Sequence, residues 1–187
     1  MKKLIAAAAV SVFTAFSLSG CSASLPFNGN RSVSFDKSYT VNADISCGDL
    51  KAKAEVTRKG AEEWEFCFTE PKELMGLSFS LDKAGITAKL GALSVTAESN
   101  GVYSQLPKII AQAVDRLPEL AQETMTEEDG VLTAQTEFNG KKVIITAAAD
   151  TGELISLKCP YYKLAVHFSG QADAGDLSTE EIVIIEE

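Results

Sequence analysis

Apolar and polar positions alternate along most of this chain. Tyr39, Val41, Ala43, Ile45 and Cys47 fall on one face of an extended segment and Thr40, Asn42, Asp44 and Ser46 on the other, the period-two pattern of a strand with one buried side. Leu50, Ala52, Ala54 and Val56 continue the pattern after a Gly48-Asp49 turn, and Trp64, Phe66 and Phe68 resume it after Lys59-Gly60. Three consecutive antiparallel strands follow from this. Pro71 interrupts the run. Phe79 and Leu81, then Ile86, Ala88 and Leu90, flank a turn at Asp82-Lys83-Ala84-Gly85, and Leu93, Val95 and Ala97 give one more short strand.

The period then changes. Leu106, Ile109, Ile110, Ala113, Val114 and Leu117 recur at helical spacing, with Lys108, Gln112, Asp115 and Arg116 off the apolar stripe. Ser104 is the expected cap, Pro107 fits a first turn, and Pro118 is expected to end or kink the helix before the polar stretch 122–130. Beyond it, residues 133–138 and 141–146 form a hairpin around Asn139-Gly140, a dipeptide suited to a type I′ turn. Pairing Phe138 with Lys141 places Thr136 opposite Val143, Ala134 opposite Ile145, and Glu137 opposite Lys142, whose opposite charges support the register. Leu154 to Leu157 follow a turn at Asp150-Thr151-Gly152; Leu164, Val166 and Phe168 mark a further strand, and residues 182–185 are expected to add an edge strand.

Strands, one helix, then more strands predict an α+β fold: a strongly curved antiparallel sheet, a half-open barrel, wrapped around one main amphipathic helix that fills its concave face.

The first twenty residues read differently. Lys2 and Lys3 precede an apolar stretch over residues 4–16, too short for a membrane-spanning helix, and Leu18-Ser19-Gly20-Cys21 follows. This run resembles the bacterial lipoprotein signal. The resemblance implies cleavage between Gly20 and Cys21, a thioether-linked diacylglycerol on Cys21 with further acylation such as palmitate, and an extracytoplasmic protein held to a bacterial cell or outer membrane by lipid, two chains sufficing for stable anchoring. Residues 21–32 then form the lipidated N-terminus and a flexible tether, small and polar and broken by Pro26 and Gly29, leaving residues 33–187 as a single domain.

Removing residues 1–20 takes Lys2 and Lys3 with them, so the formal charge of −9 becomes −11. An acidic chain without a basic stripe is expected neither to bind nucleic acid nor to lie flat on anionic lipid.

The order of elements resembles the lipoprotein-carrier fold of LolA and LolB. The resemblance rests on Trp64-Glu65-Phe66 in an early hairpin strand, on Pro71-Lys72-Glu73-Leu74-Met75-Gly76-Leu77, on the central helix and on Asp150-Thr151-Gly152-Glu153-Leu154-Ile155 opening a late strand, across about residues 33–170. It implies an apolar cavity for acyl chains under a helical lid, here walled by Trp64, Phe66, Phe68, Phe79, Ile110 and Val114. Carriers of that kind have several lid helices and this chain shows one, so two expectations stand: a cavity that holds an acyl chain or a lipoprotein's modified end, or an interior filled by Trp64, Phe66, Phe79 and Ile110 that docks an envelope protein through a surface elsewhere, for example around Pro160-Tyr161-Tyr162.

Besides Cys21 the chain has Cys47, Cys67 and Cys159, an odd number that allows one internal disulfide by any of three pairings, with one thiol left over. Their spacing matches neither a CxxC pair nor a zinc knuckle, and no metal or cofactor is expected. Catalysis is not expected either. His167 alternates to the polar face of its strand, no GxSxG elbow is present, and the carboxylate pairs Glu62-Glu63, Glu127-Glu128, Glu180-Glu181 and Glu186-Glu187 lie in apparent turns or at the terminus. The expected activity is that of a binding module.

Overall fold

Each predicted strand within the described residues becomes one rung of a single curved sheet. The computed structural model describes residues 25–26, 33–96 and 102–173. Among them are β1 (Leu25–Pro26), β2 (Tyr39–Cys47), β3 (Leu50–Gly60), β4 (Glu63–Glu70), β5 (Leu77–Asp82), β6 (Gly85–Leu90) and β7 (Leu93–Thr96), then the helices α1 (Val102–Asp115) and α2 (Leu117–Glu123). The chain continues through β8 (Thr126–Glu128), β9 (Val131–Phe138), β10 (Lys141–Ala148) and β11 (Leu154–Cys159), a 3-10 turn over Pro160–Tyr162, and β12 (Leu164–Asp173). All pairings are antiparallel, in the order β1-β8-β9-β10-β11-β12-β2-β3-β4-β5-β6-β7.

The contacts of α1 show that the sheet curls. The helix packs against β9 and β10 and also against β5, seven places from β9 in the strand order. A flat sheet would separate those strands by about 34 Å, three times a helix diameter. Curling is what lets one helix touch both.

Alternation then decides what is inside. Val41, Ala43, Ile45, Val56, Phe66, Val143, Ile145, Leu157 and Val166 point to the concave face and are buried, where Leu106, Ile109, Ile110, Val114 and Leu117 meet them in one core. Each Val, Ile, Leu or Phe among them contributes about 1.5–3 kcal/mol on leaving water.

The Asn139-Gly140 hairpin has the predicted register, Phe138 opposite Lys141 and Glu137 opposite Lys142, and both turn residues have positive φ, 49° and 68°, as a type I′ turn requires.

Several expectations are corrected. Among the described residues there are two helices rather than one, because Pro118 falls in the first turn of α2, where its missing N–H costs nothing, and the break sits at Arg116. Helix α1 starts at Val102, so Ser104 is a helical residue rather than a cap and Pro107 lies beyond the first turn. The strands β8 and β1, too short to show a period, were not foreseen, and Leu25–Pro26 within the expected tether pairs with Glu127 and Thr126 of β8. Cys21 and the strand expected over residues 182–185 lie outside the described residues.

Candidate functional site

The six residues expected to wall a cavity are brought together, but five of them as solid core. Trp64, Phe66, Phe68, Ile110 and Val114 are buried, Phe66 and Ile110 completely at 0% exposure. Trp64 stacks on Phe66 at 6.2 Å between ring centroids, and Phe68 meets Phe79 edge-on at 6.0 Å. Helix α1 fills the space that an acyl chain would need beneath it. Phe79 is half-buried and stands where the helix cover ends.

Past that point the inner face continues uncovered. Register pairs Leu77 with Leu90, Phe79 with Ala88 and Leu81 with Ile86, then Leu90 with Leu93 and Ala88 with Val95, so all eight share the concave side. Exposure rises outward along this face: Ile86 is 1% exposed, Leu90 47%, Val95 64% and Leu93 71%. An apolar shelf on β5, β6 and β7 thus runs out from under α1. Where the helix parts from the sheet, a groove of about 520 Å³ opens between Trp64 and Leu81 on the strands, Lys83 in the β5–β6 turn, and Lys108, Gln112 and Asp115 on the helix, within the 300–1,000 Å³ range of small-molecule sites.

The helix is fixed beside this groove by a buried polar cluster. Arg58 continues the inward side of β3 after Ala54 and Val56 and is 1% exposed. Its Nε donates to Asp115 Oδ1 at 2.9 Å, Nη1 to the Lys37 carbonyl at 2.7 Å, and Nη2 to Asp36 Oδ1 at 3.1 Å. Asp115 Oδ2 accepts from Trp64 Nε1 at 2.9 Å and from the Glu62 amide at 3.0 Å. Burial works to lower the Arg58 pKa, and the hydrogen bonds to Asp115 and Asp36 outweigh it, leaving the guanidinium above its ordinary value. The next residue, Arg116, donates from Nη1 to Thr136 Oγ1 of β9 at 2.8 Å. Successive residues at the helix break therefore tie α1 to opposite walls of the sheet.

Sequence reasoning missed this cluster, placing Asp115 merely off the apolar stripe. The available signal was Arg58, an arginine at the inward phase of an otherwise apolar strand. Tyr39, expected on the apolar face, packs edge-on to Trp64 at 6.1 Å. Its hydroxyl has no hydrogen-bond partner, and burial pushes its pKa well above the ordinary phenol.

Among the described residues the cysteines form no disulfide: Cys47 and Cys159 are buried free thiols and Cys67 is a half-buried one. Leu164 is the register partner of both Cys47 and Cys159, which sets those two a double strand spacing apart, about 9.5 Å against the roughly 7 Å limit for a bridge. Cys67 alternates to the opposite face from Phe66 and Phe68. Burial raises the pKa of Cys47, with Cys159 adding to it, and of Cys67, with Glu65 and Glu55 adding to it. His167 is exposed on β12 between Asp44 and Ser156 of the neighbouring strands. Among the described residues no group of three or more His, Cys, Asp or Glu is gathered as a metal site needs, and no helix is long and apolar enough to cross a membrane.

Solved structures similar to this fold include two bacterial proteins. One is a LolA superfamily protein from Nitrosomonas europaea, at 11% identity and a TM-score of 0.38, over 73% of this chain and 86% of that one. The other is a DUF1329 family protein from Desulfovibrio piger, at 12% identity and a TM-score of 0.45, over 76% of this chain and 88% of that one. No protein-family model and no curated protein sequence matches the chain. The likeness is one of fold and brings no ligand or site residue with it.

Proposed function

We propose that this chain is a non-catalytic, lipid-anchored extracytoplasmic binding module that holds an acyl chain, free or attached to a lipoprotein, against the open inner face of its sheet. The observation that carries this reading is the apolar shelf of Phe79, Ala88, Leu90, Leu93 and Val95, continuous with the core yet uncovered by α1. Contiguous exposed apolar surface of this kind marks a binding site. The ligand lies along β5–β7 rather than beneath the helix, where Phe66 and Ile110 leave no room. Anchoring through Cys21 supplies the address and rests on the resemblance of residues 1–21 to a lipoprotein signal.

The filled interior favours a second reading, in which the same shelf docks an apolar face of an envelope protein. Native mass spectrometry of the chain from residue 21 with Cys21→Ala, incubated with oleic acid or lysolipid, separates the two. One adduct per chain, lost in Leu93→Glu/Val95→Glu, is the expected result. A bare mass at every ligand concentration would overturn the acyl-chain reading and leave the protein partner.

A further inference from the structure

We infer that one end of the sheet docks on an anionic lipid bilayer. The chain is acidic overall, and its lysines are not spread evenly. Five connections lie at the same end of the antiparallel strands: Gly48-Asp49 between β2 and β3, residues 71–76 between β4 and β5, Gly91-Ala92 between β6 and β7, Asn139-Gly140 between β9 and β10, and the 3-10 turn Pro160–Tyr162 between β11 and β12. A hydrogen bond from the Gly48 amide to the Lys163 carbonyl, 3.2 Å, joins two of them directly. Within two residues of these turns stand Lys51, Lys72, Lys89, Lys141, Lys142, Lys158 and Lys163. The carboxylates there are Asp49, Glu70, Glu73 and Glu137; Glu70 is paired with Lys53 at 3.2 Å, and Glu137 faces Lys142 across the hairpin.

The opposite end is acidic, with Glu62-Glu63, Asp82, Glu127-Glu128-Asp129, Asp150 and Glu153 against Lys59 and Lys83 around its turns. The expectation of no basic surface is thereby corrected: strand topology gathers lysines that are scattered in sequence.

Charge alone would suit any polyanion, and the apolar residues decide between them. Of the five large exposed apolar residues among those described, Met75 (61%), Leu90 (47%), Leu93 (71%) and Tyr161 (64%) lie in or beside the same basic turns. Lys141 Nζ sits 4.0 Å over the Tyr161 ring, an aromatic beside a cation, as at a membrane interface. Apolar tips ringed by lysine match a surface that is anionic outside and apolar just beneath. A soluble polyanion offers the tips nothing. Leu25–Pro26, which pairs with β8, and Val33, against Gly152, both lie at the other end of the strands, so this contact does not involve them.

The test is co-sedimentation of the chain from residue 21 with Cys21→Ala, on phosphatidylcholine vesicles with and without phosphatidylglycerol. Binding that requires phosphatidylglycerol and is released by salt is expected. It should weaken on the order of a hundredfold in Lys141→Glu/Lys158→Glu/Lys163→Glu and severalfold in Tyr161→Ala, with circular dichroism unchanged. Absence of phosphatidylglycerol-dependent binding, or equal binding by the triple variant, would overturn the inference. Lysine-dependent binding indifferent to Tyr161→Ala and competed away by polyphosphate would overturn it in favour of a soluble polyanion. All four substituted positions lie away from β5–β7, so the oleate adduct reports separately on the proposed acyl site.

Discussion

Arg58 and Asp115 form the most consequential contact between single residues, since each is held away from water and each has other groups depending on it. Asp115→Ala would leave the guanidinium buried against Trp64 without its best acceptor and would remove the acceptor from the Trp64 and Glu62 N–H groups. Breaking such a pair costs about 3–5 kcal/mol, and urea unfolding should show a loss of that size. Arg58→Met/Asp115→Leu should recover part of it by removing both charges, leaving the loss from the two N–H groups. Tyr39 makes a separate prediction. Its phenol, raised chiefly by burial, is neutral in both states below the unfolded value near 10. Above that pH the unfolded chain ionises first, so stability present at neutral pH is lost as pH rises toward the folded value, by about 1.4 kcal/mol per pH unit for this group. Tyr39→Phe should unfold at a higher urea concentration than the parent at pH 8, since the hydroxyl it removes is buried and unpaired, and by a wider margin at pH 11; an equal margin at the two pH values would disprove the assignment. At this scale the sequence was least legible. The phase of Arg58 was readable from Val56 onward, but nothing local says that Asp115, on a helix 57 residues later, meets it.

Elements were far more legible, because strand phase and turn chemistry are local. Asn139-Gly140 fixed a hairpin register that the structure reproduces pair by pair, and Tyr39–Cys47 emerged as a strand with its expected inward face. Pro118 was the ambiguous signal: the same ring that cannot continue α1 is welcome in the first turn of α2. The Asp150-Thr151-Gly152 turn, expected to open a late strand, also carries a packing constraint. Gly152 has φ +77°, and a Cβ there would stand 2.5 Å from Val33 Cγ1. Gly152→Ala therefore combines a left-handed backbone cost of about 1–2 kcal/mol with a collision at Val33, on the segment that leads into β2. Thermal unfolding should fall by several degrees, and amide exchange should rise around residues 33–35 before it rises in β10 or β11. A uniform rise along the chain would mean that this turn does not hold that segment.

For the whole molecule, curvature and charge polarity emerge only when the strands are ordered in space. The helix stripe and the alternation announced a sheet around a helix, but whether the enclosed space was hollow or filled depended on how side chains from β2 to β4, β9 to β12 and α1 interdigitate, which no single segment specifies. It is filled, and this moves the acyl-chain hypothesis from beneath the helix to the shelf beside it. Ile110 tests the distinction. It is wholly buried between α1 and the sheet, so Ile110→Ala should cost about 2–5 kcal/mol and leave an apolar void. An apolar void of that kind stays dry and admits small apolar molecules. Benzene should therefore restore part of the lost stability in the variant and add nothing to the parent. The oleate adduct, held on β5–β7, should be unchanged in the variant. Were the interior instead the ligand site, Ile110→Ala would weaken oleate binding while Leu93→Glu/Val95→Glu left it intact, an outcome that would return the ligand to the space under α1.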